Sequence, residues 1–249
     1  MRIDHDIHIN DMAAASRYET HAHDHEALLS YAASGSCTQL IGPRLWTVLP
    51  AHAVWIPAGT PHAVAAGPRG CRLRTVRFPL PVPDDLPATP CVIEVSPFLA
   101  ALIAELGEAG GDEHRRRAAL RFLIHDALAR SPLLDLSLPR VSDPRLLRVT
   151  DALQADPSDR RSLTAWAQLA DMSRRSFIRK FQAETEMGLQ EWQRRLRVLM
   201  ARQMLADGAS VTETALSLGY ATPSAFIAMI RRELGTTPGQ LFAAGPPAP

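Results

Sequence analysis

A chain of 249 residues with 46% hydrophobic and 21% charged side chains is long enough to bury two ordinary cores, so two domains are expected. No run of about 18 apolar residues occurs, and the first six residues (MRIDHD) lack the basic and apolar regions of a signal peptide, which points to a cytoplasmic protein with no membrane partner. Three cysteines without Cys-x-x-Cys spacing argue against a disulfide framework or a cysteine-type zinc site. The net charge of +1 divides unevenly, with 15 Lys and Arg against 11 Asp and Glu in residues 140–249, and 12 against 15 in residues 1–139. A modest positive excess suits a phosphate-bearing partner without naming one.

In chain order, residues 1–92 read as an all-β domain. Short strands are expected at 38–41, 45–49, 53–56 and 73–78, punctuated by Gly42-Pro43, by the turn around Pro57 and Gly59, and by Gly67-Pro68. Ahead of them, THAHDHE (20–26) as a strand would project His21, His23 and His25 from one face, because strand side chains alternate. A hairpin returning through 56–62 would bring His62 beside them. Neutral imidazole is a common nitrogen ligand of zinc, nickel, cobalt or iron, and three or four suffice for one ion. His21, His23 and His62 are therefore the metal candidates, with His25 as a fourth. The same spacing also fits histidines that line an organic-ligand pocket or hydrogen-bond within the core. Tyr31, Trp46 and Trp55 are candidates for the wall of an effector pocket, although aromatics at strand spacing are more often plain core. His5 and His8 stand on an N-terminal arm outside this pattern.

Residues 79–90 (PLPVPDDLPATP) hold five prolines and read as an extended connector. A helical pair is expected over 93–131. Its first helix starts at Ser96-Pro97 and stops at Gly110-Gly111, and its second carries Leu120, Leu123, Ile124, Ala127 and Leu128 as an apolar stripe. That stripe fits packing on its own barrel and a dimer interface equally well. Residues 132–143 read as a linker, 144–243 as wholly helical, and 244–249 as a disordered tail.

Within the helical part, 163–181 (LTAWAQLADMSRRSFIRKF) has apolar residues at Leu163, Trp166, Leu169 and Ala170, a break at Asp171-Met172-Ser173, then Phe177, Ile178 and Phe181. This is helix, tight turn, helix. Ser173 is the expected N-cap of the second helix, whose outward side carries Arg174, Arg175, Ser176, Arg179 and Lys180. A helix in the major groove needs side chains that reach base edges and cations that meet phosphates. The grammar recurs after Asp207-Gly208. Val211, Ala215 and Leu218 form one face, Gly219-Tyr220 the turn, Thr222 the N-cap and Pro223 the first helical position. Phe226, Ile227 and Ile230 are expected inside, and Ser224, Ala225, Arg231 and Arg232 outside. A helix over 189–205, about 25 Å long, separates the two units.

Over residues 144–243 the sequence resembles the AraC-type (AraC/XylS) regulators. The resemblance rests on Ala167-Gln-Leu-Ala170, Met172-Ser173-Arg174-Arg175, Phe181, Trp192, Arg197, Ala201, Ala215, Gly219-Tyr220, Ser224-Ala-Phe226, Arg231, Gly235 and Pro238. Glu186 stands where a glycine commonly ends the first reading helix, which leaves that cap open, with Gly188 the next candidate. The N-terminal part is similar to cupin barrels in His21-x-His23 and Pro57-x-Gly59-x-x-His62. The glutamate of that pattern would fall on Ala27 or Leu28, and Glu26 is one place short. The expected fold is α+β, a cupin-like barrel followed by an all-α domain with two helix-turn-helix units joined by a linker helix. The resemblance implies a non-enzymatic transcription regulator, a homodimer, with double-stranded DNA, a small-molecule or metal effector, and RNA polymerase as partners. A cupin metalloenzyme, or a constitutive DNA-binding protein whose barrel serves only for dimerisation, are the alternatives.

Overall fold

The computed structural model describes residues 7–50, 52–109, 114–134, 137–235 and 237–238. His5, the expected Gly110-Gly111 helix stop and the tail at 244–249 lie outside them. The chain divides into two compact units, the first running essentially to Ser137 and the second from Leu138 to Ala244.

The first unit is an antiparallel sheet with two helices. Its strands are β1 (Ile7–Met12), β2 (Arg17–His21), β3 (Glu26–Ile41), β4 (Arg44–Val48), β5 (His52–Ile56), β6 (His62–Pro79), β7 (Cys91–Glu94) and β8 (Leu133–Leu134). They pair in the order β1-β6-β3-β5-β7-β8, with β2 added on β6 and β4 on β3. β3 and β6 are far longer than the expected segments, and Gly67-Pro68 lies inside β6 rather than ending it. Their pairing shifts register around Gly35. At this bulge Gly35 has φ +68°, and a Cβ there would stand 2.3 Å from the Gly70 carbonyl oxygen, so only glycine fits.

At β3 the sheet is buried on both faces. On β3, Ala27, Leu29 and Tyr31 point to one side and Leu28 and Ser30 to the other, and all five are buried. The first side packs on α1 (Pro97–Glu108) and α2 (His114–Ala129), where Leu99, Ile103, Leu106, Leu120, Ile124 and Leu128 join Trp55, Val76 and Ile93 in one core. Ser96 caps α1 by accepting from the Leu99 N–H at 3.1 Å, with Pro97 at the first helical position as expected. The stripe on α2 thus serves its own core, except that Leu123 is exposed, as is neighbouring Phe122 at 69%.

The second unit is helical: α3 (Pro144–Ala155), α4 (Leu163–Leu169), α5 (Arg174–Thr185), α6 (Leu189–Ala206), α7 (Val211–Ser217) and α8 (Pro223–Leu234). N-caps are supplied by Asp143, Ser162, Ser173, Ser210 and Thr222, each through its side chain. Helix α6 is the common spine. Trp192, near its start, packs edge-on against Phe181 and donates to the Pro139 carbonyl at 2.8 Å, while Val198 and Ala201 join the core of α7 and α8.

Candidate nucleic-acid interface and histidine pocket

The two helix-turn-helix units are built by the same hydrogen bonds. In the first, Asp171 N–H donates to Gln168 and Met172 N–H to Ala167; in the second, Gly219 N–H donates to Leu216 and Tyr220 N–H to Ala215. Asp171 (φ 50°) and Gly219 (φ 80°) hold the left-handed conformation each turn requires. At Gly219 a side chain is also excluded by packing, since a Cβ would lie 2.9 Å from that of Ser158.

On α5, Phe177 and Phe181 are buried while Arg174, Arg175 and Arg179 are exposed. None of these three arginines makes an ion pair among the described residues. Two expectations for this helix are corrected. Ile178 is 42% exposed and shares a face with the arginines and Gln182, because it is Thr185, one turn beyond Phe181, that completes the buried side. Lys180 turns away from that face to Asp143 at 3.0 Å and Glu184 at 3.6 Å, so its ammonium is held by protein carboxylates. Ser176 is partly buried and belongs to the N-cap, its N–H donating to the Ser173 hydroxyl. On α8, Phe226, Met229 and Ile230 are buried, whereas Thr222, Ser224, Ala225, Arg231 and Arg232 are exposed; Arg232 pairs with Glu233 at 3.0 Å. Met229 takes the buried place expected of Ile227, which is only partly covered. Helix α5 ends on Glu186 itself, in the left-handed conformation at φ 58°, and Gly188 begins α6 instead of capping α5.

In the first unit the non-helix face of the sheet encloses a cavity of about 220 Å³. His21 comes from the end of β2, His62 from the start of β6 directly opposite it, and His23 from the turn after β2. One ring nitrogen from each lies within 4.8 Å of the others. Each Nδ1 meets an acceptor: the Glu19 carbonyl at 2.8 Å for His21, the Thr60 carbonyl at 3.0 Å for His62, and the Glu26 carboxylate at 3.2 Å for His23. A carbonyl cannot donate, so Nδ1 carries the proton and Nε2 keeps its lone pair for a ligand. Burial holds His23 and His62 below the usual imidazole pKa, which keeps both neutral, the form that binds metal.

The expected strand through 20–26 stops at His21, because the chain turns back at 24–25 to start β3. His25 is consequently exposed in that turn and is not part of the cluster. Glu26 acts behind His23 rather than as a ligand. Tyr31, Trp46 and Trp55 do not line the cavity: Tyr31 and Trp55 sit on the odd-numbered face of β3 and β5, in the core beneath α1 and α2, and Trp46 is buried elsewhere. Instead the wall includes His8 on β1, Gln39, Thr75 and Arg77. The strand alternation that places Leu28 and Ser30 inward would have picked out Thr75 and Arg77, once their pairing with β3 was known.

A curved sheet around a ligand-sized cavity, followed by tandem helix-turn-helix units with uncompensated arginines, defines a ligand-responsive DNA-binding protein. Residues 7–124 match the family described as AraC-like ligand binding domain, and residues 166–244 match a helix-turn-helix domain family. The chain is 32% identical over 226 residues to the HTH-type transcriptional regulator NimR of Escherichia coli K12, covering 89% of this chain and 81% of that protein. Among solved structures, the DNA-binding domain of AdpA in complex with a target DNA is 32% identical over 41% of this chain and 93% of its own (TM-score 0.37). Fatty-acid-bound ToxT of Vibrio cholerae is 10% identical, covering 95% and 94% (TM-score 0.39). The chain belongs to the AraC-type transcription regulators. Among the described residues no helix is long and apolar enough to cross a membrane.

Proposed function

We propose that this regulator reads its operator through α5 and α8 and senses its effector in the histidine pocket, where His21, His23 and His62 hold a divalent ion such as zinc, nickel, cobalt or iron. The observation that carries the metal reading is that His21, His23 and His62 bring one ring nitrogen each within 4.8 Å of the others, while each Nδ1 is anchored on an acceptor, which leaves the Nε2 lone pairs for a ligand. The ion would supply two positive charges and an open coordination position. Arg174, Arg175, Arg179, Arg231 and Arg232 meet the DNA, with Thr222, Ser224 and Ala225 at the groove end of α8. The 18-residue α6, about 27 Å long, is of a length to seat the two reading helices in successive major grooves. The protein works in the cytoplasm as a homodimer, a reading supported by exposed Phe122 and Leu123 on α2, and acts on transcription through RNA polymerase. It is a sensor rather than an enzyme: Glu26, the carboxylate beside the cluster, is engaged by both His23 and Arg77 and has no free role as a general base.

Elemental mass spectrometry of the untagged protein tests the metal reading. About one ion per chain is expected in the wild type, and none in His23→Ala or His62→Ala; wild-type protein that takes up no stoichiometric ion would sink it.

A further inference from the structure

We propose that the ligand of the histidine pocket is a small carboxylic acid that also carries a hydroxyl or amino donor. The inference rests on reading this cavity as the sensor site, and it adds what the site selects.

Two polar atoms of the wall are buried and have no hydrogen-bond partner. One is Oε1 of Gln39, a side chain with no exposed surface whose Nε2 donates to the Ser30 hydroxyl at 2.7 Å. The other is Nε of Arg77, which lies 3.6 Å from the Glu26 carboxylate, beyond hydrogen-bond distance. Buried polar atoms without partners are costly, and a matched ligand removes both costs at once. The acceptor at Gln39 requires a donor, and the Arg77 Nε–H, which faces Glu26 without bonding to it, requires an acceptor that a ligand carboxylate supplies. No carboxylate lines the cavity among the described residues; the nearest, Glu26, stands behind His23 and Arg77, and an ion on the three imidazoles would offset its charge and attract an acid.

Size and spacing narrow the class. Arg77 pairs with Leu28, and Ser30, which holds Gln39, is two residues further along the same strand, a span of about 7 Å. The cavity, about 220 Å³, falls below the roughly 300–1,000 Å³ of sites for drug-sized molecules. Leu28, Ile56, Val64 and Leu73 give it an apolar side for a short aliphatic body. The ligand is therefore a short hydroxy or amino acid, not a long-chain acid or a neutral sugar.

Calorimetric titration of the untagged full chain, metal-free and with one equivalent of zinc, separates the contacts with three probes of one carbon skeleton: 2-hydroxybutyrate, butyrate and 1,2-butanediol. The hydroxy acid should bind about tenfold more tightly than either of the others, one charged or buried hydrogen bond being worth roughly that factor. Arg77→Gln should erase the advantage over the diol, and Gln39→Leu the advantage over butyrate. The wild-type ranking stands alone if a variant fails to fold. Equal affinities, preference for the diol, or no binding of any probe overturns the acid assignment. If zinc is taken up while no probe binds, this inference alone fails; if neither zinc nor a probe binds, the sensor reading fails with it.

Discussion

The ammonium of Lys180 lies 3.0 Å from the carboxylate of Asp143, the N-cap of α3, although Lys180 stands in a helix whose other cations face solvent. It ties α5 to the start of the helical unit. Lys180→Ala should lower stability modestly and leave the salt dependence of operator binding unchanged. Arg179→Ala should do the reverse, keeping stability while reducing the log–log salt slope by about 0.9, the value of one phosphate contact. Fluorescence anisotropy across a salt series measures both, and equal slopes for the two variants would refute this division of roles.

The same junction sets an acid limit. Asp143 is held well below the usual carboxylate range by hydrogen bonds from Arg145 and Lys180. Burial raises the pKa of Glu184, but hydrogen bonds from the Ser142 and Asp143 N–H groups outweigh it and leave the group lowered. A depressed folded-state pKa contributes stability that is complete above the unfolded value, about 4, and disappears as pH falls through the folded one. Urea denaturation between pH 7 and pH 3 should show stability falling below about pH 4.5. Glu184→Gln should be less stable at pH 7 and decline less steeply.

Ile178 presents an apolar side chain amid Arg174, Arg175, Arg179 and Gln182. The thymine methyl is the apolar group that the major groove offers, so Ile178 is expected to favour thymine at the base it meets. Site selection from a randomised operator should give a thymine there for wild type and lose it for Ile178→Asn, with thermal stability nearly unchanged. An unaltered base preference would count against this.

Two left-handed residues should respond oppositely to substitution. Glu186 holds φ 58° with a side chain, so Glu186→Gly should stabilise the helical unit by about 1 kcal/mol. Gly219 has both φ 80° and a wall of Ser158 atoms, so Gly219→Ala should cost more than that, about 1–3 kcal/mol. Thermal melts of both variants check the signs.

The helical unit was legible because its signals are local: Ser173 and Thr222 cap, Pro223 starts, and apolar residues repeat at helical spacing. The structure departs from the pattern there by single positions, at Ile178 and Ile227, where the buried stripe is narrower than the run of apolar residues. The sheet was harder. β3 is buried on both faces, so the alternation that announces a half-buried strand is absent from 27–32, and β1 shows its register only through its pairing with β6. His21, His23 and His62 were found from spacing alone. His8, Gln39 and Arg77 were not, because they reach the cavity from strands whose neighbours are distant in sequence. Tyr31 and Trp55, candidates for the pocket wall, take the plain-core alternative instead, and the sequence does not decide between the two because composition does not say which parity looks inward.

That parity has a mechanical result. Between the cavity lining at Leu28 and Ser30 and the helix-packed side chains at Leu29 and Tyr31 there is only one thickness of peptide. Any ligand that spread or drew in β3 would displace the seats of α1 and α2 in the same movement, and α2, which carries exposed Phe122 and Leu123, is separated from the pocket by no further layer of side chains that could absorb it.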